Sequence, residues 1–245
     1  MDWWKDYFDR SYLQRYIFDS ETTVAEVLML RDLLPEAPAD ILDLACGQGR
    51  HSIGLAQCGY HVIGLDASTD LLDVARSEAE GVSGVEFVHG DMRQIPYVEC
   101  FDGVICMFTS FGYFDDAENL TVLQGIVRSL KPGGRLIMEM AHRDRVVNGF
   151  RETDWYEQDD GTIVWIRRVF DPIRGTLISI ERWRDYDDNE DERHHRIRLY
   201  SASELAALLH RAGLDVTDWY GSHNLHAFSY DAPRMIVVAQ KPFVE

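Results

Sequence analysis

The run Asp43-Leu44-Ala45-Cys46-Gly47-Gln48-Gly49 offers the first legible chemistry in the chain. An apolar strand pattern leads into it and a helical pattern leaves it, so free backbone N–H groups face whatever approaches the glycines. Such a turn suits an anionic or dipolar ligand, although Gly47-x-Gly49 alone fits a tight packing turn equally well. Asp66 closes the next strand pattern and adds a carboxylate able to accept both hydroxyls of a ribose. Together the turn and the acid point to an adenosine-containing cofactor.

Two cofactor classes compete for that turn. A dinucleotide calls for a third glycine where Ser52 stands, and Asp43 would repel a pyrophosphate. An ammonium or sulfonium group would instead be attracted. Aromatic faces can stabilise a sulfonium and exclude water, which makes Tyr12, Tyr16, Phe108 and Tyr113 candidate walls, each with ordinary packing as the alternative. His142, just past a later strand, is the candidate general base, with an exposed turn histidine as its alternative. His194 and His195 fall in a charged stretch and read as solvated, whereas His223 and His226 sit on a loop that could reach the site or merely cover the sheet.

The elements that must hold these groups follow from periodicity. Trp4, Phe8, Tyr12 and Tyr16 recur along one side of a helix or broken helix, and a second helix over 20–34 carries Val24, Val27, Leu28 and Leu34 as its stripe. From Asp40 strands and helices alternate: 41–44, a helix over 49–58, 61–66, a helix capped by Ser68, 85–88, 103–107, a helix opened by Asp115, Asp116 and Glu118, and 135–140. Short turns between them imply parallel pairing with right-handed crossovers. Over 142–199 the rhythm breaks into antiparallel strands at 162–170, 176–184 and 196–200, with the acid-rich run 185–192 as a solvated hairpin tip. Ser201-Ala202-Ser203-Glu204 is a capping box, and the strands 215–220 and 235–240 lack a crossover helix, so they pair antiparallel at the edge. The expectation is an α/β fold, a doubly wound seven-stranded mostly parallel sheet with an antiparallel β insertion. Its parts are an N-terminal helical lid (1–36), a core (37–141 and 200–245) and an inserted cover (142–199).

Composition narrows the partners. The 245 residues carry 24 Lys+Arg against 42 Asp+Glu, a net charge of -18, so the average surface repels nucleic acid and anionic lipid. With 46% hydrophobic residues the chain can bury a full core. Four cysteines without CxxC spacing argue against a metal cluster and for a reducing, cytoplasmic setting. No stretch suits a membrane span or a signal peptide.

Taken in order, these markers resemble the class I S-adenosylmethionine-dependent methyltransferases over about 37–141 and 200–245. The resemblance implies that Asp43, Ala45, Cys46, Gly47 and Gly49 hold the methionine end of S-adenosyl-L-methionine, and that Asp66 with Ala67 binds the ribose. It further implies that Asp91 and Met92 contact the adenine, with Met107 and Phe108 alongside, and that Lys131-Pro132-Gly133-Gly134 precedes the fifth strand. Ala45 replaces a frequent glycine and is expected to keep a negative φ. The inserted strands and the run Phe108-Thr109-Ser110-Phe111-Gly112-Tyr113 resemble small-molecule members, amino-sugar N-methyltransferases among them. The implied reaction moves methyl to nitrogen or oxygen of a small acceptor, with Tyr113 and His142 as catalytic candidates, and a homodimer is compatible with it. A non-catalytic cofactor-binding regulator and an NAD-dependent oxidoreductase are the alternatives.

Overall fold

The structure is a computed structural model that describes residues 3–16, 19–185 and 189–243. Two short helices, α1 (Trp4–Tyr7) and α2 (Arg10–Arg15), precede α3 (Ser20–Leu33). Then β1 (Asp40–Leu44), α4 (Arg50–Gln57), β2 (His61–Asp66), α5 (Thr69–Glu78), β3 (Val85–His89), β4 (Phe101–Cys106), α6 (Asp116–Ser129) and β5 (Leu130–Met140) alternate. After α7 (Arg143–Asn148) come β6 (Thr153–Glu157), β7 (Ile163–Asp171), β8 (Thr176–Arg184) and β9 (Glu190–Arg198), followed by α8 (Ala202–Ala212), β10 (Asp215–Tyr220) and β11 (Met235–Gln240).

Seven strands form one sheet in the order β10-β11-β5-β4-β1-β2-β3. Strands β1 to β5 are parallel, and β11 runs antiparallel to both β5 and β10, as the missing crossover helix requires. The central strands are apolar on both faces because both faces are covered. Leu42, Val104 and Leu136 pack toward α6 and α8, whereas Ile41, Ile105 and Ile137 pack toward α3 and α4. Strand order reverses between β1 and β4, and the crevice outside their carboxyl ends is where open α/β sheets take ligands. Side-chain caps set the helix starts: Asp19 on α3, Ser68 on α5, Asp115 on α6, and a reciprocal Ser201–Glu204 capping box on α8.

Three expectations need correction. On α3, Val24 and Leu28 are 58% and 45% exposed, and the buried face is instead Val27, Leu30, Leu33 and Leu34. Glu26 lies on that buried side, satisfied by ion pairs, so apolar periodicity alone misplaces the stripe. The insertion is a four-stranded sheet, β6-β7-β8-β9, preceded by the unexpected helix α7. Strand β6 is mostly polar and exposed, and β9 opens with Glu190-Asp191-Glu192, so charge hides both; Glu192 stands opposite Arg182 across the ladder and bonds to it. The acid-rich run is therefore partly strand, while Tyr186, Asp187 and Asp188 of that expected tip lie outside the described residues. His195 is largely enclosed rather than solvated, its side chain 12% exposed and its ring against Tyr7 and Trp3. Among the described residues no helix is long and apolar enough to cross a membrane.

Candidate active site

A cleft enclosing about 830 Å³ of empty space, its open mouth included, lies at the carboxyl ends of β1, β2 and β4. Its floor is backbone. Gly47 sits at φ +55°, and a Cβ there would meet only Leu71, at 3.8 Å, so the main chain is open to an approaching ligand. Gly49, at φ +78°, begins α4 and has a different reason to be glycine: a Cβ would strike the Phe87 ring at 2.5 Å. Ala45 departs from expectation, for its φ is +59°. It occupies the left-handed region that favours glycine, held there by N–H bonds from Ala45 and Cys46 to the Leu65 carbonyl at 2.8 and 3.2 Å.

Three carboxylates face this floor. Asp66 is clamped by backbone, with Oδ2 accepting from Gly47 N–H and Oδ1 from Ser68 N–H, both at 2.8 Å. Asp43 is fully enclosed and accepts from Ser52 Oγ at 2.6 Å, which gives the serine at the third-glycine position its purpose. Asp91 is gripped by the Arg93 guanidinium at 2.7–3.1 Å. Burial pushes the Asp43 carboxyl above the usual carboxylate range and outweighs nearby His51. Burial raises Asp66 as well, against the two N–H bonds and with Asp43 adding to the effect. Negative charge is thus costly in the free cleft, and a ligand bearing positive charge relieves that cost.

The walls are aromatic. Trp4, Phe8 and Tyr12 come from the amino-terminal helices, Phe108, Tyr113 and Phe114 from the segment after β4. Phe108 and Thr109 both adopt positive φ, +55° and +58°. Glu139 holds them, accepting from Phe108 N–H at 3.3 Å on its carboxylate and from Thr109 N–H at 3.0 Å on its carbonyl. Tyr113 packs edge-on to Trp3, with ring centroids 5.0 Å apart, and burial lifts its phenol well above the usual range.

Of the residues singled out from sequence, Tyr12, Asp43, Ala45, Cys46, Gly47, Asp66, Ala67, Asp91, Met92, Met107, Phe108 and Tyr113 all line the cleft. Gly49, Tyr16 and His142 do not. The Tyr16 hydroxyl is turned to Glu181, at 3.1 Å, and to Tyr7, at 2.9 Å. His142 is only 2% exposed, with Nδ1 3.1 Å from the Ala232 carbonyl and its ring against Phe228, so it is neither a surface turn residue nor a cleft base.

Arg50 and His51 also line the cleft and escaped the sequence reading, whereas Gln48 of the glycine turn and Ser110 of the Phe108–Tyr113 run line it from within stretches already singled out. A signal for the first two existed: cations at a helix start oppose the macrodipole and ask for a reason. The reason is Glu26, which pairs with both, His51 at 2.9 Å. Burial would raise Glu26, but these partners outweigh it and hold it down to about 2. Glu26, Glu139 and His223 bring possible metal-ligating atoms within 4.8 Å of one another. Arg50, His51 and Arg234 already balance the two carboxylates, so the cluster needs no ion.

Comparison with known proteins places this geometry. A family described as "Methyltransferase domain" matches residues 41–134. A demethylmenaquinone methyltransferase of Clavibacter sepedonicus is 40% identical over 113 residues, 46% of this chain and 45% of that protein. The chain thus aligns with less than half of that relative's length. The same-named protein of Bacillus licheniformis is 34% identical over 180 residues, 72% of this chain and 70% of the relative. A dTDP-3-amino-3,4,6-trideoxy-alpha-D-glucopyranose N,N-dimethyltransferase of Streptomyces venezuelae is 28% identical over 221 residues, 86% and 90%. Among solved structures, the CcbJ methyltransferase from Streptomyces caelestis superimposes with a TM-score of 0.81 at 18% identity, over 98% of this chain and 97% of that one. A floor opened by Gly47, carboxylates that favour positive charge and aromatic walls are what a nucleoside sulfonium requires, and together with these relatives they make the chain a member of the class I S-adenosylmethionine-dependent methyltransferases.

Proposed function

We propose that the chain methylates an amine nitrogen on a small molecule, with residues 1–36 as a lid and 142–199 as a cover over the acceptor. S-adenosylmethionine supplies an already electrophilic methyl on sulfur, so the chain has to align an acceptor, exclude water and tolerate positive charge. Asp66 would take the ribose hydroxyls, Asp91 and Met92 the adenine, and Asp43 the positive charge of the methionine end. Arg50, at the start of α4, would take the carboxylate of that end.

The observation that carries nitrogen over oxygen is the state of Tyr113. An alcohol acceptor needs a base. Tyr113 holds its proton through the neutral range, Ser110, the other hydroxyl on that wall, is no stronger a base, and His51, which also lines the cleft, has its Nε2 engaged by the Glu26 carboxylate at 2.9 Å. A neutral amine needs none. Tyr113 would then orient the amine by hydrogen bonding, and the aromatic walls would steady the cationic product. Support for the lid comes from the seam between α1–α2 and the insertion. The Tyr7 and Tyr16 hydroxyls both donate to Glu181 at 3.1 Å, Arg193 pairs with Asp9 at 3.0 Å, and the Arg15 guanidinium lies 4.5 Å over the Trp183 ring. The unpaired thiol of Cys46 in the cleft supports a reducing, cytoplasmic setting, and the charge of -18 supports a partner other than nucleic acid.

Matched amine and alcohol acceptors on one scaffold test the reading. The amine is expected to be methylated, with a pH profile that follows its own pKa, and Tyr113→Phe should lower kcat with cofactor affinity kept. Preferential methylation of the alcohol would overturn it.

A further inference from the structure

A second groove lies beside the cleft and is built unlike the rest of the surface. Arg145 of α7, Arg151, Arg168 of β7 and Arg234 line it, with the aromatic rings of Phe150 and Tyr230 beside them. The whole chain has only 24 basic residues against 42 acids, so four arginines on one groove run against the average surface. They are also under-committed. Arg151 has no hydrogen-bond or ion-pair partner among the described residues, and Arg145 donates to a carbonyl, that of Asp231 at 2.8 Å. Arg168 meets Asp154 at 3.5 Å, and Arg234 uses Nε toward Glu139 at 3.3 Å, leaving its terminal amino groups. Two acids line the groove with them, Asp154 and Asp231, and the Asp231 carboxylate accepts from Ser229 at 2.7 Å. Tyr230 is 65% exposed, a ring without a packing role.

The groove and the cleft are neighbours by construction. Ala141 and His142 line the groove just after β5, Met107 and Phe108 line the cleft just after β4, and the two strands are paired. One buried side chain joins them, since Glu139 meets Arg234 of the groove through Oε1 and Phe108 N–H of the cleft through Oε2, each at 3.3 Å. We propose that this groove binds the phosphate or diphosphate end of the acceptor while the amine lies in the cleft. The proposal rests on the methyl-transfer reading and gives its substrate class, a phosphorylated amine. Guanidinium groups suit phosphate oxygens by bidentate hydrogen bonding, and the exposed Tyr230 ring offers a stacking face for an attached planar group.

Calorimetric titration of the full chain with inorganic pyrophosphate at low salt tests this, with citrate as a carboxylate comparison and Arg145→Glu/Arg151→Glu as the variant. Both positions are exposed, so the variant should fold, and its unchanged affinity for S-adenosylhomocysteine would establish an intact cleft. The expected result is saturable one-to-one pyrophosphate binding, weakened at least ten-fold in the variant and by added salt, with citrate binding more weakly. Absence of saturable binding, equal binding in the variant, or citrate binding as tightly as pyrophosphate would overturn the proposal. Failure of S-adenosylhomocysteine to bind the unaltered chain would count against the methyl-transfer reading alone.

Discussion

The floor and the roof of the cleft are built by opposite means. On the floor, ligand-facing groups are fixed from within one short stretch of chain: Asp66 by the backbone N–H groups of Gly47 and Ser68, 19 and 2 positions away, and Asp43 by the Ser52 hydroxyl, 9 positions away. On the roof, side chains hold side chains far along the sequence. Tyr7 reaches Glu181 across 174 positions, Tyr16 across 165, and Arg193 reaches Asp9 across 184. A floor made of main chain in the strand-to-helix turns of a packed sheet is formed before any ligand arrives. In the proposed lid and cover, a few polar contacts between short helices and a separate sheet would part at modest cost, as admission and release of substrates requires.

The largest expected effect tests the floor. Asp66→Ala removes a carboxylate that would accept hydrogen bonds from the ligand and frees two backbone N–H groups. A charged hydrogen-bonding partner in an enclosed site contributes on the order of 2–4 kcal/mol, so cofactor affinity should fall by roughly 30- to 1000-fold in a calorimetric titration. Affinity within a few-fold of the parent would mean that the floor does not bind as described. The roof should answer differently. Glu181→Gln keeps shape and removes the charge that two tyrosine hydroxyls share, so kcat/KM for the acceptor should drop by about ten-fold, near 1.4 kcal/mol, with a smaller change in cofactor affinity. Equal loss of both would erase the distinction between floor and roof.

The same division explains what was legible in the sequence. Asp43, Gly47, Asp66 and Asp91 could be found because their roles depend on position relative to strands and turns, which periodicity reveals. The seven-stranded sheet was legible for the same reason, down to the antiparallel edge, where a missing helix dictated the pairing. Glu181, His195 and Glu26 could not be found. Each is an enclosed polar group whose neighbours are distant in sequence, Glu181 and Glu26 satisfied by hydrogen bonds and His195 packed against aromatic rings, and no local pattern marks those neighbours. His142 misled because a histidine just past a strand end is well placed for catalysis, yet its side chain turns from the cleft to the Ala232 carbonyl. Strand β9 hid because its acids are neutralised across the ladder, which a count of charge along the chain cannot register.

A smaller effect follows from the raised carboxyls of Asp43 and Asp66. In the free protein burial lifts both above the range of an unfolded chain, so they lose stability for the fold as pH rises above the ordinary carboxylate values. A bound cation favours the ionised forms and releases protons. Cofactor affinity should therefore rise as pH climbs above the ordinary carboxylate range and level off once both carboxyls are ionised, by several-fold, and the thermal shift caused by cofactor should grow in the same direction. Affinity that falls with rising pH over this window would contradict the charge assignment of the floor.

The smallest effect tests the floor's backbone. Ala45 at φ +59° bears the contact between its Cβ and the main chain that makes the left-handed region costly, about 1–2 kcal/mol for a residue other than glycine. Ala45→Gly removes that contact but adds about 0.4–1 kcal/mol of unfolded-state entropy. The balance favours the variant by about 0–1.6 kcal/mol, a rise in Tm of at most about 3–6 °C at this chain length. Cofactor affinity should not gain, because the two N–H bonds to Leu65 hold the turn in either variant. If Tm fell, the alanine methyl would have to contribute packing greater than the strain it causes. The floor would then owe its rigidity to side chains, as the roof does.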